Sequence, residues 1–245
     1  MDLTTSLKEY VKSKGADLVG VTPAERLDKA PAGHRPRDFF ENAKNVVVMA
    51  TRLLNCVLNQ MPQSRHEYTC NYYHANQLLD LLAFKTGQFL ERRGFQAYPI
   101  SIGINYGMAL SEENVKNLMG LFSFKHAAVA AGLGQFGLNG LLLTPQYGPR
   151  VRLVSVITDA PLGADKPFEG KQPCQPDKCG KRCIALCPEK DTAFKDEKLN
   201  KFACWEATRY LPKDPSQPKQ GSFWYQKAGR CGMCVAACPP ELFKS

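Results

Sequence analysis

Eight of the ten cysteines lie between positions 174 and 238, and this concentration constrains the chain more than any other feature. The first residues show neither the apolar stretch nor the twin arginines of an export signal, so we expect a cytoplasmic protein with reduced thiols. Clustered cysteines in such a protein more often bind metal than form disulfides. Cys56 and Cys70 stand alone, and we expect them to be buried like small hydrophobic side chains.

The clustered cysteines form two runs, and each run ends in a Cys-Pro pair. The runs are Cys174-x4-Cys179-x3-Cys183-x3-Cys187-Pro188 and Cys231-x2-Cys234-x3-Cys238-Pro239, with Cys204 between them. Two-cluster ferredoxins take the fourth thiolate of a [4Fe–4S] cluster from the Cys-Pro of the other run. The pattern therefore predicts two clusters, held by the sets Cys174, Cys179, Cys183, Cys238 and Cys187, Cys204, Cys231, Cys234.

Two alternatives to this arrangement stay open. Two zinc sites of four cysteines each would need paired C-x2-C knuckles, and the sequence contains only one such pair. The first run also departs from the usual C-x2-C-x2-C-x3-C-P spacing. Cys174 is therefore the least secure ligand, and a cluster that lacks one thiolate is the second alternative.

The net charge of +9 comes from 32 basic and 23 acidic side chains. An oxidised [4Fe–4S] cluster with its thiolates carries about −2, so basic side chains near the cysteines would neutralise it. The alternative is an acidic partner, such as tRNA or an electron carrier. No stretch approaches the ~20 apolar residues that span a bilayer, so we expect no membrane partner.

Apolar segments of helical and strand-like periodicity alternate up to about residue 160. We predict helices over 3–14, 72–93 and 122–131, and strands over 17–21, 45–50, 95–102 and 151–158. Such alternation is typical of a layered α/β domain. The turn residues at 160–163 precede a stretch rich in Cys, Pro and Lys. The sequence thus predicts an α/β domain over residues 1–163 and a cysteine-rich domain over residues 164–245.

Residues 132–137, GLGQFG, match the G-x-G-x-x-G pattern of dinucleotide-binding loops. That loop leaves a strand and opens a helix. Here a helical segment comes first, and the strand-like residues 141–143 follow, so dinucleotide binding is disfavoured. Two interpretations remain: a turn that lets the backbone approach another large planar ligand, or a structural stop at the end of the helix.

These glycines also carry a resemblance to a known family. Residues 131–139 (AGLGQFGLN), residues 143–148 (LTPQYG), Thr158-Asp159 and both cysteine runs resemble epoxyqueuosine reductases and their relatives, the reductive dehalogenases. Residues 17–21 and 43–48 look like N-terminal strands of that family. The resemblance covers nearly the whole chain, which looks like a short member.

The resemblance implies a nitroreductase-like α/β (α+β) domain that binds cobalamin, followed by a small ferredoxin-like module with two [4Fe–4S] clusters. In such proteins a low-potential donor of ferredoxin or flavodoxin type feeds the clusters, and a base-off cobalamin reduces the substrate in its Co(I) form. The implied cobalamin-binding residues are Gly132, Leu133, Gly134, Gln135, Phe136, Gly137 and Asn139.

Epoxyqueuosine reductases place an acidic proton donor just upstream of this glycine-rich segment, but residues 118–126 contain no carboxylate. Lys125 and His126 occupy the corresponding place. We expect His126 to donate the proton, because an imidazole titrates near neutral pH. Tyr106, in a glycine-bounded loop, is the second candidate. Packing roles are the alternative for these residues.

Two functions remain in view. The first is a cytoplasmic reductase that acts on a small molecule or a modified nucleoside, with tRNA as a further candidate partner. The second is an electron-transfer protein that reduces a corrinoid or a redox partner and has no substrate of its own. The absence of the family's carboxylate favours the second, whereas the glycine-rich segment favours the first.

Overall fold

The computed structural model of the chain describes residues 2–102, 116–208 and 230–243, with the backbone alone for 205–208. Its strands are β1 Leu18–Pro23, β2 Asn45–Arg52, β3 Ala97–Ile100, β4 Gln135–Phe136, β5 Leu142–Leu143, β6 Val151–Thr158, β7 Phe194–Lys195 and β8 Lys198–Leu199. Its helices are α1 Leu3–Ser13, α2 Pro36–Phe39, α3 Asn55–Asn59, α4 Arg65–Glu91, α5 Phe124–Ala130, α6 Pro176–Cys179, α7 Arg182–Ala185, α8 Lys190–Ala193, α9 Lys201–Thr208 and α10 Met233–Ala236. Short 3₁₀ turns cover Ala24–Leu27 and Pro240–Leu242.

A four-stranded sheet with the order β1–β2–β6–β3 lies at the centre of the fold, and every neighbouring pair is antiparallel. Strand β2 pairs with β6 along its whole length, and it is buried from Asn45 to Thr51. A strand buried on both faces needs apolar side chains at consecutive positions, which the Val-Val-Val-Met-Ala run supplies. The strands predicted at 45–50 and 151–158 are confirmed.

Helices cover both faces of this sheet. Val47 and Met49 pack in the core beneath α1 and α4, whereas Val46, Val48 and Ala50 pack in the core beneath α5. This alternation follows from strand geometry, because successive side chains leave a strand on opposite faces. The predicted layering of helices and strands is therefore confirmed as a mixed α/β fold.

Helix α4 begins at Arg65 rather than at the predicted residue 72. Its first turns carry little apolar periodicity, and long-range contacts stabilise them instead. Tyr68 is buried in a cluster with Val235, and Arg65 Nε donates to the carbonyl of Arg230 at 3.2 Å. The sequence pattern could not reveal these partners, because they lie beyond residue 229.

Asp165 attaches the segment after β6 to helix α1, to strand β1 and to the 3₁₀ turn at Ala24–Leu27. Its carboxylate accepts hydrogen bonds from Lys8 Nζ at 2.6 and 2.7 Å and from the Val21 amide at 2.7 Å. Arg26 Nη1 donates to the Asp165 carbonyl at 2.7 Å. Contacts with α1 and β1 thus continue past residue 163. The division into domains at 163/164 stays a prediction.

The second cysteine run packs against α3 and the start of α4. Val235 joins Leu53, Leu58 and Tyr68 in one buried cluster. Gly232 has φ +66° and lies so close to the Tyr68 ring that a Cβ would stand 2.3 Å from it. The second cysteine run is thereby fixed against α3 and α4. Within the described residues, every helix is too short or too polar to cross a bilayer.

Candidate functional site

Four cysteines line one cavity beside the second run. They are Cys174, Cys179, Cys183 and Cys238. Apolar side chains complete much of the wall, among them Leu138, Leu143 and Leu242. The turn between α6 and α7 reverses the chain through Gly180 and Lys181, both in the left-handed region, and so brings Cys179 and Cys183 to the same cavity.

The thiols of this first set influence one another strongly. Burial, followed by the neighbouring Cys183, Cys179 and Cys174, raises the pKa of Cys238 to about 12. Burial likewise raises the pKa of Cys183, followed by Cys174 and Cys179. Thiols in such surroundings hold their protons until a cation replaces them, so metal binding here would release protons.

The other four cysteines form a second set. Burial raises the pKa of Cys234 far above its ordinary value, and Cys204 and Cys231 are the largest further causes. Burial also raises the pKa of Cys204, with Cys231 and Cys187 as the next causes. Cys238 thus lies in the cavity of the first run, and Cys187 acts electrostatically on Cys204 and Cys234.

The first predicted set shares one cavity, and the thiols of the second predicted set act on one another electrostatically. Four thiols around a cavity with apolar walls are the donor type and number that a [4Fe–4S] cluster takes, so the first set fits one. In the part of the chain that the structure describes, no group of three or more His, Cys, Asp or Glu side chains could hold a metal ion as it stands. The ligand roles therefore stay predictions.

The two isolated cysteines are a correction to the sequence analysis. Cys56 and Cys70 are both exposed rather than buried. Cys56 lies on the outer side of the short helix α3, and Cys70 lies on the exposed side of α4 with its Sγ 3.9 Å from His66 Nε2. Helix periodicity decides their exposure, and thiol composition gives no information about it.

Lys125 and His126 begin α5 beside the glycine-rich segment. Lys125 Nζ donates to the Gly140 carbonyl at 2.6 Å and lies 5.8 Å from the centre of the Phe136 ring. Burial lowers the pKa of Lys125, and Arg152 lowers it further, whereas Cys204 and Cys234 raise it. Lys125 is thus the cation next to the second cysteine set.

His126 is held by the N-terminal cap of its own helix. Ser123 Oγ lies 2.6 Å from His126 Nδ1 and accepts from the His126 amide at 3.5 Å. The imidazole packs on Phe136 with ring centres 4.9 Å apart. Partial burial lowers the pKa of His126, and Lys125 lowers it further. Tyr106 lies outside the described residues.

The glycine-rich segment approaches protein backbone at its first two glycines. A Cβ on Gly132, which has φ +73°, would stand 2.1 Å from the Lys166 carbonyl oxygen. A Cβ on Gly134 would stand 2.1 Å from the Leu143 carbonyl oxygen. These two glycines therefore allow close packing within the chain, and cobalamin binding along the segment stays a prediction.

The remaining residues of this segment connect the sheet layer to the second cysteine set. Leu133 packs against the core beneath α5, and β4, formed by Gln135 and Phe136, pairs with β5. Gly137 packs against Leu143. Asn139 is 3% exposed, and its Nδ2 donates to the Cys234 carbonyl at 3.4 Å. The segment thus lies against the second run.

The sequence analysis did not identify two arginines around the start of β6, Arg150 and Arg152. Arg150 Nη1 donates to the side-chain oxygens of Asn55 and Asn59, both at 2.9 Å, and its Nη2 donates to Ala236. Arg152 Nη2 donates to the Tyr72 hydroxyl at 2.9 Å. The sequence carries no motif for either residue. An arginine at the start of a buried strand is the one available signal.

Comparison with known proteins gives relatives of two kinds. The chain is 33% identical over 242 residues to the tetrachloroethene reductive dehalogenase of Desulfitobacterium hafniense, covering 96% of this chain and 39% of that protein. It is 30% identical over 265 residues to the epoxyqueuosine reductase of Listeria monocytogenes, covering 97% of this chain and 64% of that protein. The chain thus spans less than two thirds of either relative. No description of a protein family matches it.

Solved structures show the same fold. The epoxyqueuosine reductase of Streptococcus thermophilus superposes with a TM-score of 0.61 at 18% identity, covering 98% of this chain and 66% of that one. A reductive dehalogenase whose structure suggests a mechanism for B12-dependent dehalogenation gives a TM-score of 0.62 at 20% identity, covering 94% and 31%. An epoxyqueuosine reductase with a modified tRNA stem loop gives 0.58 at 20% identity, covering 97% and 65%.

Proposed function

Because the chain is a homologue of the reductive dehalogenases and epoxyqueuosine reductases, we propose that it is a reductase that holds two [4Fe–4S] clusters and a base-off cobalamin. The observation that carries this proposal is the cavity that Cys238 of the second run shares with Cys174, Cys179 and Cys183 of the first run. The bound cobalamin would supply the strongly reducing centre, and the clusters would supply its electrons.

The chain's own residues have distinct parts in this proposal. The first set would hold one cluster beneath Leu138 and Leu143, and the second set would hold the other beside Lys125. A cation at this place offsets negative charge on the thiolates, which is costly in surroundings that exclude water. Asn139 fixes the glycine-rich segment against Cys234, so a ligand bound along that segment would lie near the second set.

Metal and cofactor content test this proposal. Anaerobically reconstituted protein should contain about eight iron and about eight labile sulfide per chain. Titration of that protein with cobalamin should give the visible absorbance of the base-off form. Stoichiometric zinc without iron would contradict the clusters, and intact clusters without cobalamin binding would contradict the reductase.

The second candidate function is an electron-transfer protein without a substrate of its own. It is favoured by one observation: residues 118–126 contain no carboxylate where epoxyqueuosine reductases carry their proton donor. Such a protein would contain both clusters and would reduce a separate corrinoid protein. The cobalamin titration separates the two candidates, because only the reductase retains cobalamin through gel filtration.

We propose His126 as the proton donor, with Lys125 and Tyr106 as the further candidates. Because burial and Lys125 lower the pKa of His126, its protonated fraction near neutral pH is reduced and grows as the pH falls. Wild-type turnover should therefore rise as the pH falls from neutral. His126→Gln should slow single turnover by about 10²–10⁴ and remove this rise. Unchanged turnover in that variant would make His126 a packing residue.

The substrate and the location are also parts of this proposal. Named relatives act on tetrachloroethene or on epoxyqueuosine, so we propose either a small molecule or a modified nucleoside as substrate, with tRNA as the larger form of the latter. The electron donor would be a ferredoxin or a flavodoxin. We also propose a cytoplasmic location, where thiols such as the exposed Cys56 and Cys70 stay reduced.

A further inference from the structure

A groove of about 360 Å³ opens between α3, α7 and the second cysteine run. Its walls combine apolar side chains with two arginines. The lining residues are Leu58, Asn59, Met61, Arg150, Arg182, Leu186, Met233, Ala236, Ala237, Pro239 and Pro240. Leu186, one of the apolar side chains that line it, is 53% exposed, so part of the groove is apolar surface open to solvent.

The groove lies directly outside the first cysteine set. Arg182 and Pro239 line both the groove and the cavity of the four cysteines. Each is the chain neighbour of a cysteine in that set, Arg182 of Cys183 and Pro239 of Cys238. A molecule seated in the groove would therefore contact the walls that enclose this set.

The charge of the groove has one sign. Among the described residues that line it there are two arginines and no carboxylate. Arg150 is only 4% exposed, and its Nε is buried without a hydrogen-bond partner. Burial lowers the pKa of Arg150, while Cys238 and Glu241 raise it. A buried guanidinium with a free N–H is costly, and an acidic group entering the groove would reduce that cost.

We propose that this groove is the docking surface for a small acidic electron-carrier protein. The inference rests on the proposed function, which requires electrons to enter from such a carrier. Transient redox complexes bury little surface, and they combine apolar contact with complementary charges that speed the encounter. The exposed Leu186 supplies the apolar contact, and Arg182 supplies the exposed positive charge. One electron passes at each encounter, the carrier is oxidised by one electron, and no bond forms or breaks.

Binding of purified flavodoxin, an acidic carrier, tests the groove. The dissociation constant is measured by titrating isotope-labelled flavodoxin with the reconstituted protein at low and at high salt. Arg182→Glu should raise the dissociation constant about tenfold at low salt and weaken its salt dependence. Leu186→Glu should raise it at both salt concentrations, because it removes apolar contact. Lys195→Glu, a charge reversal on the β7–β8 hairpin outside the groove, should leave it unchanged.

Measurements on the same samples distinguish a failure of the docking surface from a failure of the proposed function. Iron content should be equal in wild type, Leu186→Glu and Lys195→Glu, and in every protein the rate of reduction by flavodoxin is expressed relative to its own rate of reduction by dithionite. Reduction by flavodoxin should slow only in the groove variants. Equal flavodoxin affinity in wild type and both groove variants, or no affinity at all, would overturn the docking surface. Protein without iron would instead contradict the proposed function, while the binding titration would still report on the groove.

Discussion

Cys238→Ala should leave the reconstituted protein with about four of its about eight iron atoms. The lost cluster should be the one held by Cys174, Cys179 and Cys183, because Cys238 shares their cavity. Cys234, four positions earlier, belongs to the other set, so Cys234→Ala should remove the other cluster. Iron analysis and electron paramagnetic resonance of the reduced variants measure both losses.

Double variants make this prediction specific for the crossing of the two runs. Cys183→Ala combined with Cys238→Ala should lose no more iron than either change alone, since both act on one set. Cys234→Ala combined with Cys238→Ala should lose nearly all of it. If the second combination lost only one cluster, the two cysteines would serve the same site. Cys56→Ser is the control, because that thiol is exposed and belongs to neither predicted set.

Gly132→Ala should lower the free energy of unfolding by about 2–5 kcal/mol. The backbone there has φ +73°, which L residues adopt at a cost, and the new methyl group would meet the Lys166 carbonyl oxygen. Backbone cannot move aside as a flexible side chain can, so the clash adds to the conformational cost. Chemical denaturation followed by far-ultraviolet circular dichroism measures the change.

Gly33→Ala is the matched control for this prediction. Gly33 has φ +82°, and nothing lies within 4 Å of the place that its Cβ would take. Its substitution should cost only the conformational term of about 1–2 kcal/mol. If both substitutions cost the same, the contact with residue 166 would not contribute to stability.

The glycines show what sequence reasoning could and could not predict. The sequence predicts that a helix precedes the glycines and a strand follows them, because periodicity and turn residues are local properties. The partner of Gly132 was not readable, because Lys166 lies 34 positions away and belongs to a segment without any motif. A G-x-G-x-x-G pattern therefore predicts close approach of a backbone but not what it approaches.

The cysteines were more predictable than the rest of the site. Spacing and two Cys-Pro ends are sufficient to indicate the crossing of ligands, since this geometry is imposed by the cluster and not by the surrounding fold. Arg150 and Arg152 could not be predicted in the same way. Both arginines bond to residues that lie far away in the sequence, Asn55 and Asn59 for Arg150 and Tyr72 for Arg152. Only the folded sheet brings these partners together.

The crossing of the two runs also determines when each thiol set can be completed during synthesis of the chain. Three cysteines of the first set, Cys174, Cys179 and Cys183, leave the ribosome well before Cys238. In the second set, Cys187 precedes its partners Cys231 and Cys234. At ~5–20 residues per second, about 3–11 s separate Cys183 from Cys238, which are predicted to serve the same set. Clusters must therefore be inserted after nearly all of the described chain has been made, and nascent chains expose incomplete thiol sets to oxidants throughout that interval.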